Sequence, residues 1–278
     1  MNSARNLWAV LEPLHAVVYF APEPAAAAKN AGLRGWWMGY FAGRAAPLGA
    51  VGPAPVTAMF YGFAPRMVER ALPDAWTVAS ADEVLRTRVE ATEAALTRLL
   101  GPVDVTELAE LLETAVAGCR FDGRPLGAAW AAAPRPDRPL ARLWLATAAL
   151  REHRGDGHVL AAVAAGLSGL DAILTHIATG RTTRTQLQRA RGWTDEEWTA
   201  ATERLAERGL LANGELTPTG VELRQSVEAA TDRLASDPVD ALGPAGLERV
   251  LTLATPLSRA VVDGGGVPIP NPMGVARP

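Results

Sequence analysis

The chain has 278 residues, 49% of them hydrophobic, and a formal net charge of -3, so it carries enough apolar material for one large or two ordinary globular domains and is not disordered by composition. That charge supplies no global basic field for phosphates or anionic headgroups, and a nucleic-acid role would need a local patch. With Cys119 as the single cysteine, an intrachain disulfide and a cysteine-rich metal site are excluded and a reducing, cytoplasmic compartment is expected.

Leu7 to Ala21 is apolar, but Glu12, Pro13 and His15 interrupt it and no clean cleavage signal follows. A buried helix is expected there rather than a leader. No uninterrupted apolar run reaches the roughly 18 residues of a membrane span, so no membrane partner is expected. Basic charge is almost entirely arginine, with Lys29 the lone lysine, a coding bias without functional content.

Further along, Ala31-Gly-Leu-Arg-Gly35 recurs as Ala165-Gly-Leu-Ser-Gly169, 134 positions on, and Leu85-Arg-Thr-Arg-Val-Glu-Ala91 as Leu223-Arg-Gln-Ser-Val-Glu-Ala229, 138 positions on. Both matches fall in the same order at nearly the same offset, and one short deletion reconciles them. A tandem duplication is therefore expected. The first unit covers residues 1–134, a Pro-rich linker 135–139, and the second unit 140–278 with a Gly/Pro-rich tail. Within the first unit, Pro53 to Pro65 is apolar, aromatic and punctuated by prolines and a glycine, a poor sequence for one regular helix.

The second unit reads as a series of helices with apolar residues at three and four spacing. Leu140 to Glu152 forms the first, and the glycines of Glu152-His-Arg-Gly-Asp-Gly-His158 are expected to break it into a loop. Val159 to Thr179 forms the second, closed by Gly180, and a short helix spans Thr185 to Arg191. After the Gly192-Trp193 turn, Thr194 and Glu197 make a capping box for a helix ending near Arg208. Two short strands flank Asn213-Gly214, a favoured hairpin turn. Thr217-Pro218 opens a long helix to about Ser236, and a last helix runs from Pro244 to Val262. Helix, turn, helix, small hairpin, long helix is the winged helix-turn-helix order.

Arg204-Leu-Ala-Glu-Arg-Gly-Leu-Leu211, then Leu216-Thr-Pro-Thr-Gly220 and Leu223-Arg224 beyond a minimal wing, resembles the recognition-helix end, wing and following helix of MarR-type regulators. The resemblance covers almost all of the second unit. It implies protomers joined through their terminal helices, with ligands often held between that interface and the DNA-binding lobes. In a duplicated chain it implies an intramolecular pseudo-dimer that functions as a monomer. The expected fold is thus mainly α, with two tandem winged-helix-like (MarR-like) repeats, the first degenerate.

The residues that would touch DNA argue against the family's usual activity. The recognition helix opens with Thr194-Asp-Glu-Glu-Trp198, three carboxylates facing a phosphate-lined groove. The wing, Ala212 to Glu215, is short and holds no arginine. Arg181, Arg184, Arg189 and Arg191 make the preceding helix basic, the best argument for DNA, unless they pair with Asp195, Glu196 and Glu197. In the first unit, 53–65 leaves no base-reading surface. DNA is a disfavoured partner, and a ligand-responsive DNA-binding regulator is the alternative function.

Aromatic residues are concentrated in the first unit, which holds all three tyrosines. Tyr19, Phe20, Trp36, Trp37, Tyr40, Phe41, Phe60, Tyr61 and Phe63 either line a cavity for a small apolar or aromatic ligand or form an aromatic core. Arg44 is a candidate anion anchor or an ordinary helix-end cap. If a pseudo-dimer sets the two helix-connecting loops at its waist, His15, Tyr19 and Glu23 face His153, Arg154, Asp156 and His158 across a shared pocket. His15, Tyr19, His153, Asp156 and His158 are then candidates for acid/base work without a cofactor. His153, Asp156 and His158 also resemble a metal set, but the spacing is undistinguished and no metal is expected. The loop is otherwise structural. His176 reads as a core histidine, and no nucleophile elbow, dinucleotide fingerprint or zinc spacing is present. The function expected is small-molecule binding, with cofactor-free catalysis in specialised metabolism as its extension.

Overall fold

A computed structural model describes residues 3–180, 182–271 and 273–278 and is almost wholly helical. In the first half, α1 (Ser3–Phe20) and α2 (Pro22–Asn30) are followed by α3 (Gly35–Ala45), α4 (Pro53–Phe60), α5 (Pro65–Glu69) and α6 (Ala75–Val78). The long α7 (Ala81–Leu100), α8 (Thr106–Ala117) and α9 (Pro125–Ala131) complete it. The prolines of 53–65 sit at the first positions of α4 and α5, where no intrahelical N–H is lost. Between these helices the chain turns through Tyr61, at φ 46°.

The second half opens with α10 (Pro139–Ala164), then α11 (Gly169–Ile177), α12 (Arg184–Arg191) and α13 (Asp195–Glu207). Strands β1 (Leu211–Ala212) and β2 (Glu215–Leu216) pair antiparallel around Asn213-Gly214. α14 (Pro218–Leu234) and α15 (Asp237–Asp263) close the fold. The capping box of Thr194 with Glu197 forms as expected, and Gly192 ends α12 in the left-handed conformation. Gly243, at φ 63°, bends α15 just before Pro244, the expected start of the last helix.

One expectation fails here. Residues 152–158 are not a loop but the middle of the 26-residue α10, and the helix expected over 159–179 is divided between α10 and α11. Gly157 has a packing reason to be inside the helix, since a Cβ there would lie 3.2 Å from Leu234 Cβ on α14. Tertiary packing overrides a propensity cost of about 1 kcal/mol per glycine.

Two apolar clusters hold the molecule together. The larger draws Leu14, Phe41, Leu96, Leu112, Trp130, Trp144 and Val250 from both sides of the Pro-rich segment 135–139. The smaller collects Leu174, Leu187, Trp198, Leu205 and Val227 around the helix-turn-helix. α10 threads both, with Leu143 to Leu150 in the first and Ala161 and Ala162 in the second. The long helices pair crosswise, α1 on α15 and α10 on α8. Among the described residues no single helix is long and apolar enough to cross a membrane.

Candidate functional site

A cavity of about 610 Å³ opens between α1, α2, α3 and α7, within the range of small-molecule sites. Its wall is built from small residues of α2 and α3, Ala28, Gly39 and Gly43 among them, with Tyr19, Trp36 and Tyr40 as aromatic faces. Trp36 and Tyr40 stack at 5.1 Å between ring centroids, and Tyr19 lies 5.5 Å from Tyr40. Lys29, Arg34 and Arg88 are its charged lining residues, and among the described residues no carboxylate lines it. Arg88 enters from α7 through the space left by Gly43, where a Cβ would lie 3.3 Å from Arg88 Cδ. Its guanidinium lies 5.4 Å from the Tyr19 ring centroid, while the buried Nε and Nη2 make no hydrogen bond among the described residues. Burial pushes the Arg88 pKa down, against the raising influence of Tyr19, Tyr40 and Glu152. A desolvated cation beside open space favours an anionic group there.

The other aromatic candidates are divided by role. Trp37, Phe41, Phe60 and Phe63 pack edge and face behind Tyr40, away from the cavity surface. Phe20 joins the larger apolar cluster, and Tyr61 donates its hydroxyl to the carbonyl of Leu167 in the second half. Arg44 is also outside the cavity. Its Nε and Nη2 donate to Oε1 and Oε2 of Glu152, both at 2.7 Å, with Glu152 only 1% exposed. Arg151 donates a third bond to Glu152 at 2.8 Å. Burial alone would raise the Glu152 pKa, but Arg151 and Arg44 outweigh it and hold it at about 2. This fully paired network is structural cement between α3 and α10.

The waist between α1 and α10 brings some of the expected residues together and separates others. His15, His153 and Arg154, with Glu12 and Arg151, line a cavity of about 30 Å³, room for a water molecule rather than an organic ligand. His15 Nε2 lies 3.3 Å from the Tyr19 hydroxyl, which links this small cavity to the large one. Burial, then Arg151, lowers the His15 pKa well below the ordinary histidine value. Asp156 accepts from Gly127 N at 2.9 Å, and burial raises its pKa to about 6. His158 Nδ1 meets Thr231 Oγ1 at 3.0 Å on α14, and burial lowers its pKa to about 4. Glu23 is held by Arg98 in two hydrogen bonds near the cavity rim. His153 Nε2 meets Arg124 Nη1 and the carbonyl of Arg120, so His153, Asp156 and His158 address different neighbours, and among the described residues no three His, Cys, Asp or Glu side chains gather as a metal set.

The turn between α12 and α13 is covered by the first half of the chain. Ala64 N donates to Arg191 O at 2.9 Å, and Trp193 Nε1 donates to Gly62 O at 3.0 Å. Arg66 donates to both carboxylate oxygens of Glu197, at 2.9 and 2.5 Å, and to the carbonyl of Gly192. Gly169 and Gly192 permit this seat, since a Cβ on either would collide with the Tyr61 carbonyl or with Met67. Of the arginines considered for DNA, Arg191 stacks over Phe63 at 4.4 Å. Arg184 bonds Asp195 at 2.6 Å, as expected, and Arg189 is exposed. Arg181 lies outside the described residues. Glu197 is paired with Arg66 rather than with Arg184, Arg189 or Arg191.

Sequence reasoning missed Glu12, Arg66 and Arg88. Arg88 had a readable signal, because it shares an inward helical stripe with Val84 and Thr92, both buried, and so had Glu12, a carboxylate within a stretch expected to be a buried helix; Arg66 had none.

These features define a helical protein with a helix-turn-helix followed by a two-stranded hairpin, its turn seated against the other half of the chain, and an aromatic, cation-lined cavity. The chain belongs to a helix-turn-helix family, whose sequence profile matches residues 4–268. No curated protein and no solved structure matches it.

Proposed function

We propose that the chain binds a small aromatic acid in the cavity between α1, α2, α3 and α7. The observation that carries this is the lining itself, with stacked aromatic faces, three cations and no carboxylate among the described residues. Tyr19, Trp36 and Tyr40 would sandwich the ring, while Arg88, with two buried N–H groups lacking hydrogen bonds among the described residues, would take the anion.

The proposal includes a MarR-like internal pseudo-dimer with a degenerate first repeat. Two features support it. The crosswise pairing of first and last long helices is the reciprocal contact of a two-fold assembly. The turn after α2 also repeats after α10 bond for bond. Ala31, Gly32 and Leu33 donate to the carbonyls of Ala27, Lys29 and Ala28, and Ala165, Gly166 and Leu167 to those of Ala161, Val163 and Ala162. On this reading, 60–67 is the remnant of a reading head that now caps the intact one, and DNA binding is lost.

The test is a Trp emission titration of the wild-type protein with 2-naphthoate and with uncharged 2-naphthylmethanol. The proposal expects saturable quenching by the acid and much weaker binding of the alcohol. Equal binding of both, or none, would contradict it.

A further inference from the structure

Six buried polar atoms make no hydrogen bond among the described residues: Nε and Nη2 of Arg88, a residue lining the large cavity, and Glu12 Oε2, His15 Nδ1, His153 Nδ1 and Arg154 Nη1. The last four belong to residues that all line the cavity of about 30 Å³ between α1 and α10. A volume above about 15 Å³ with two to four polar partners is what an internal water requires. From that cavity a polar path leads on toward the larger one. Glu12 and His15 are near neighbours on α1, and His15 reaches the Tyr19 hydroxyl with its other ring nitrogen. Tyr19 lines the ligand cavity in which Arg88 also sits.

We infer that Glu12, a water in the small cavity, His15 and Tyr19 form a proton relay that removes a proton from a weakly acidic hydroxyl of the bound ligand, a phenol or an enol. The inference rests on the ligand-cavity reading and adds chemistry to it. As the ligand O–H bond breaks, its proton passes to Tyr19 Oη. The Tyr19 proton moves to His15 Nε2, the His15 Nδ1 proton to the water, and a water proton to Glu12 Oε2. Tyr19 and the water end as they began, His15 has changed tautomer, and Glu12 has become a carboxylic acid. The negative charge has moved from Glu12 to the ligand oxygen, beside Arg88.

The surroundings suit each role. Burial raises the Glu12 pKa to about 7, opposed by Arg151, so near neutral pH the carboxylate is an effective base. Its other oxygen, Oε1, lies 3.8 Å from Arg151 Nε. Glu152 and Arg151 from α10, Arg44 from α3 and Arg88 from α7 face the His15 ring, and burial with Arg151 keeps it neutral. A neutral imidazole donates from one nitrogen and accepts at the other, which a relay needs.

4-Nitrophenol tests the relay, because its phenolate absorbs visible light and its neutral form does not. At about pH 7, where Glu12 is still largely able to accept a proton, the wild-type protein is expected to bind a larger share of the probe as phenolate than free solution holds, and E12Q is expected to lose that excess. 2-Naphthoate, which arrives already ionised, reports separately whether the E12Q cavity is intact. Should E12Q disturb the fold, Tyr19→Phe carries the same test by removing one oxygen atom. A phenolate band as strong in E12Q or in Y19F as in the wild type would overturn the relay. So would wild-type protein that binds 2-naphthoate but holds nitrophenol neutral, and this result leaves the cavity reading standing. Failure of the wild type to bind either probe would instead remove the cavity reading and the relay with it.

Discussion

Arg66 on α5 grips both carboxylate oxygens of Glu197, the residue that also closes the capping box of α13. One side chain of the first half thus holds the opening turn of the second helix of the helix-turn-helix. Thr194 N donates to the same carboxylate at 2.8 Å, so cap and clamp share one group. Arg66 first and Thr194 with it hold the Glu197 pKa at about 2.

Loosening this clamp is predicted to expose the turn without unfolding the protein. The pair is 36% and 38% exposed, so Arg66→Ala should cost no more than about 1 kcal/mol of global stability. Combined with Tyr61→Phe, it should speed amide exchange in 60–67 and 192–197 while leaving α10 protected. Unchanged exchange there would show that the seat does not depend on this clamp. For the wild type, anisotropy with a random DNA duplex should detect no salt-dependent binding at low ionic strength.

The buried pair of Arg44 and Glu152 gives a prediction about stability. Removing the cation alone, as in Arg44→Met, leaves a buried carboxylate with Arg151 as its remaining partner and should cost about 3–5 kcal/mol. The double variant Arg44→Met with Glu152→Leu should recover most of that loss. Denaturant melts compare the two. A double variant no better than the single one would mean that shape, not charge pairing, fixes α3 against α10.

Glu12 and His153 make opposite demands on pH. Glu12, raised to about 7, contributes stability that is present below its unfolded value and is lost as pH rises through the folded pKa. His153, which burial and then Arg124 depress to about 4, contributes stability that is present above its unfolded value and is lost as pH falls through the folded pKa. Glu12→Gln should therefore stabilise the protein at about pH 8, by on the order of 2–3 kcal/mol, and change little at about pH 5. Thermal melts at the two pH values check this, and an equal effect at both would contradict the burial argument.

The second half was the more legible in sequence because its signals are local. Thr194 with Glu197, Asn213-Gly214 and Thr217-Pro218 each specify a cap or turn within a few residues, and each forms where expected. The 152–158 segment misled because glycine propensity is local while the packing of Gly157 on Leu234 is not. Tyr19, Trp36 and Tyr40 were nominated by composition and do line the cavity. Composition cannot separate them from Trp37 and Phe41, which sit behind on the same helix as Tyr40. The exchange of Arg44 for Arg88 as the cation beside the cavity follows from Glu152, a partner 108 positions away from Arg44.

Calorimetric titration of 2-naphthoate into the wild-type protein and into Arg88→Met tests the central claim most directly. A charge-assisted hydrogen bond is worth about 1.5–3 kcal/mol, so the variant should bind at least about tenfold more weakly while keeping the wild-type melting profile or exceeding it, since a buried cation with two nitrogens that make no hydrogen bond among the described residues has been removed. Equal affinity in a folded Arg88→Met protein would contradict the account.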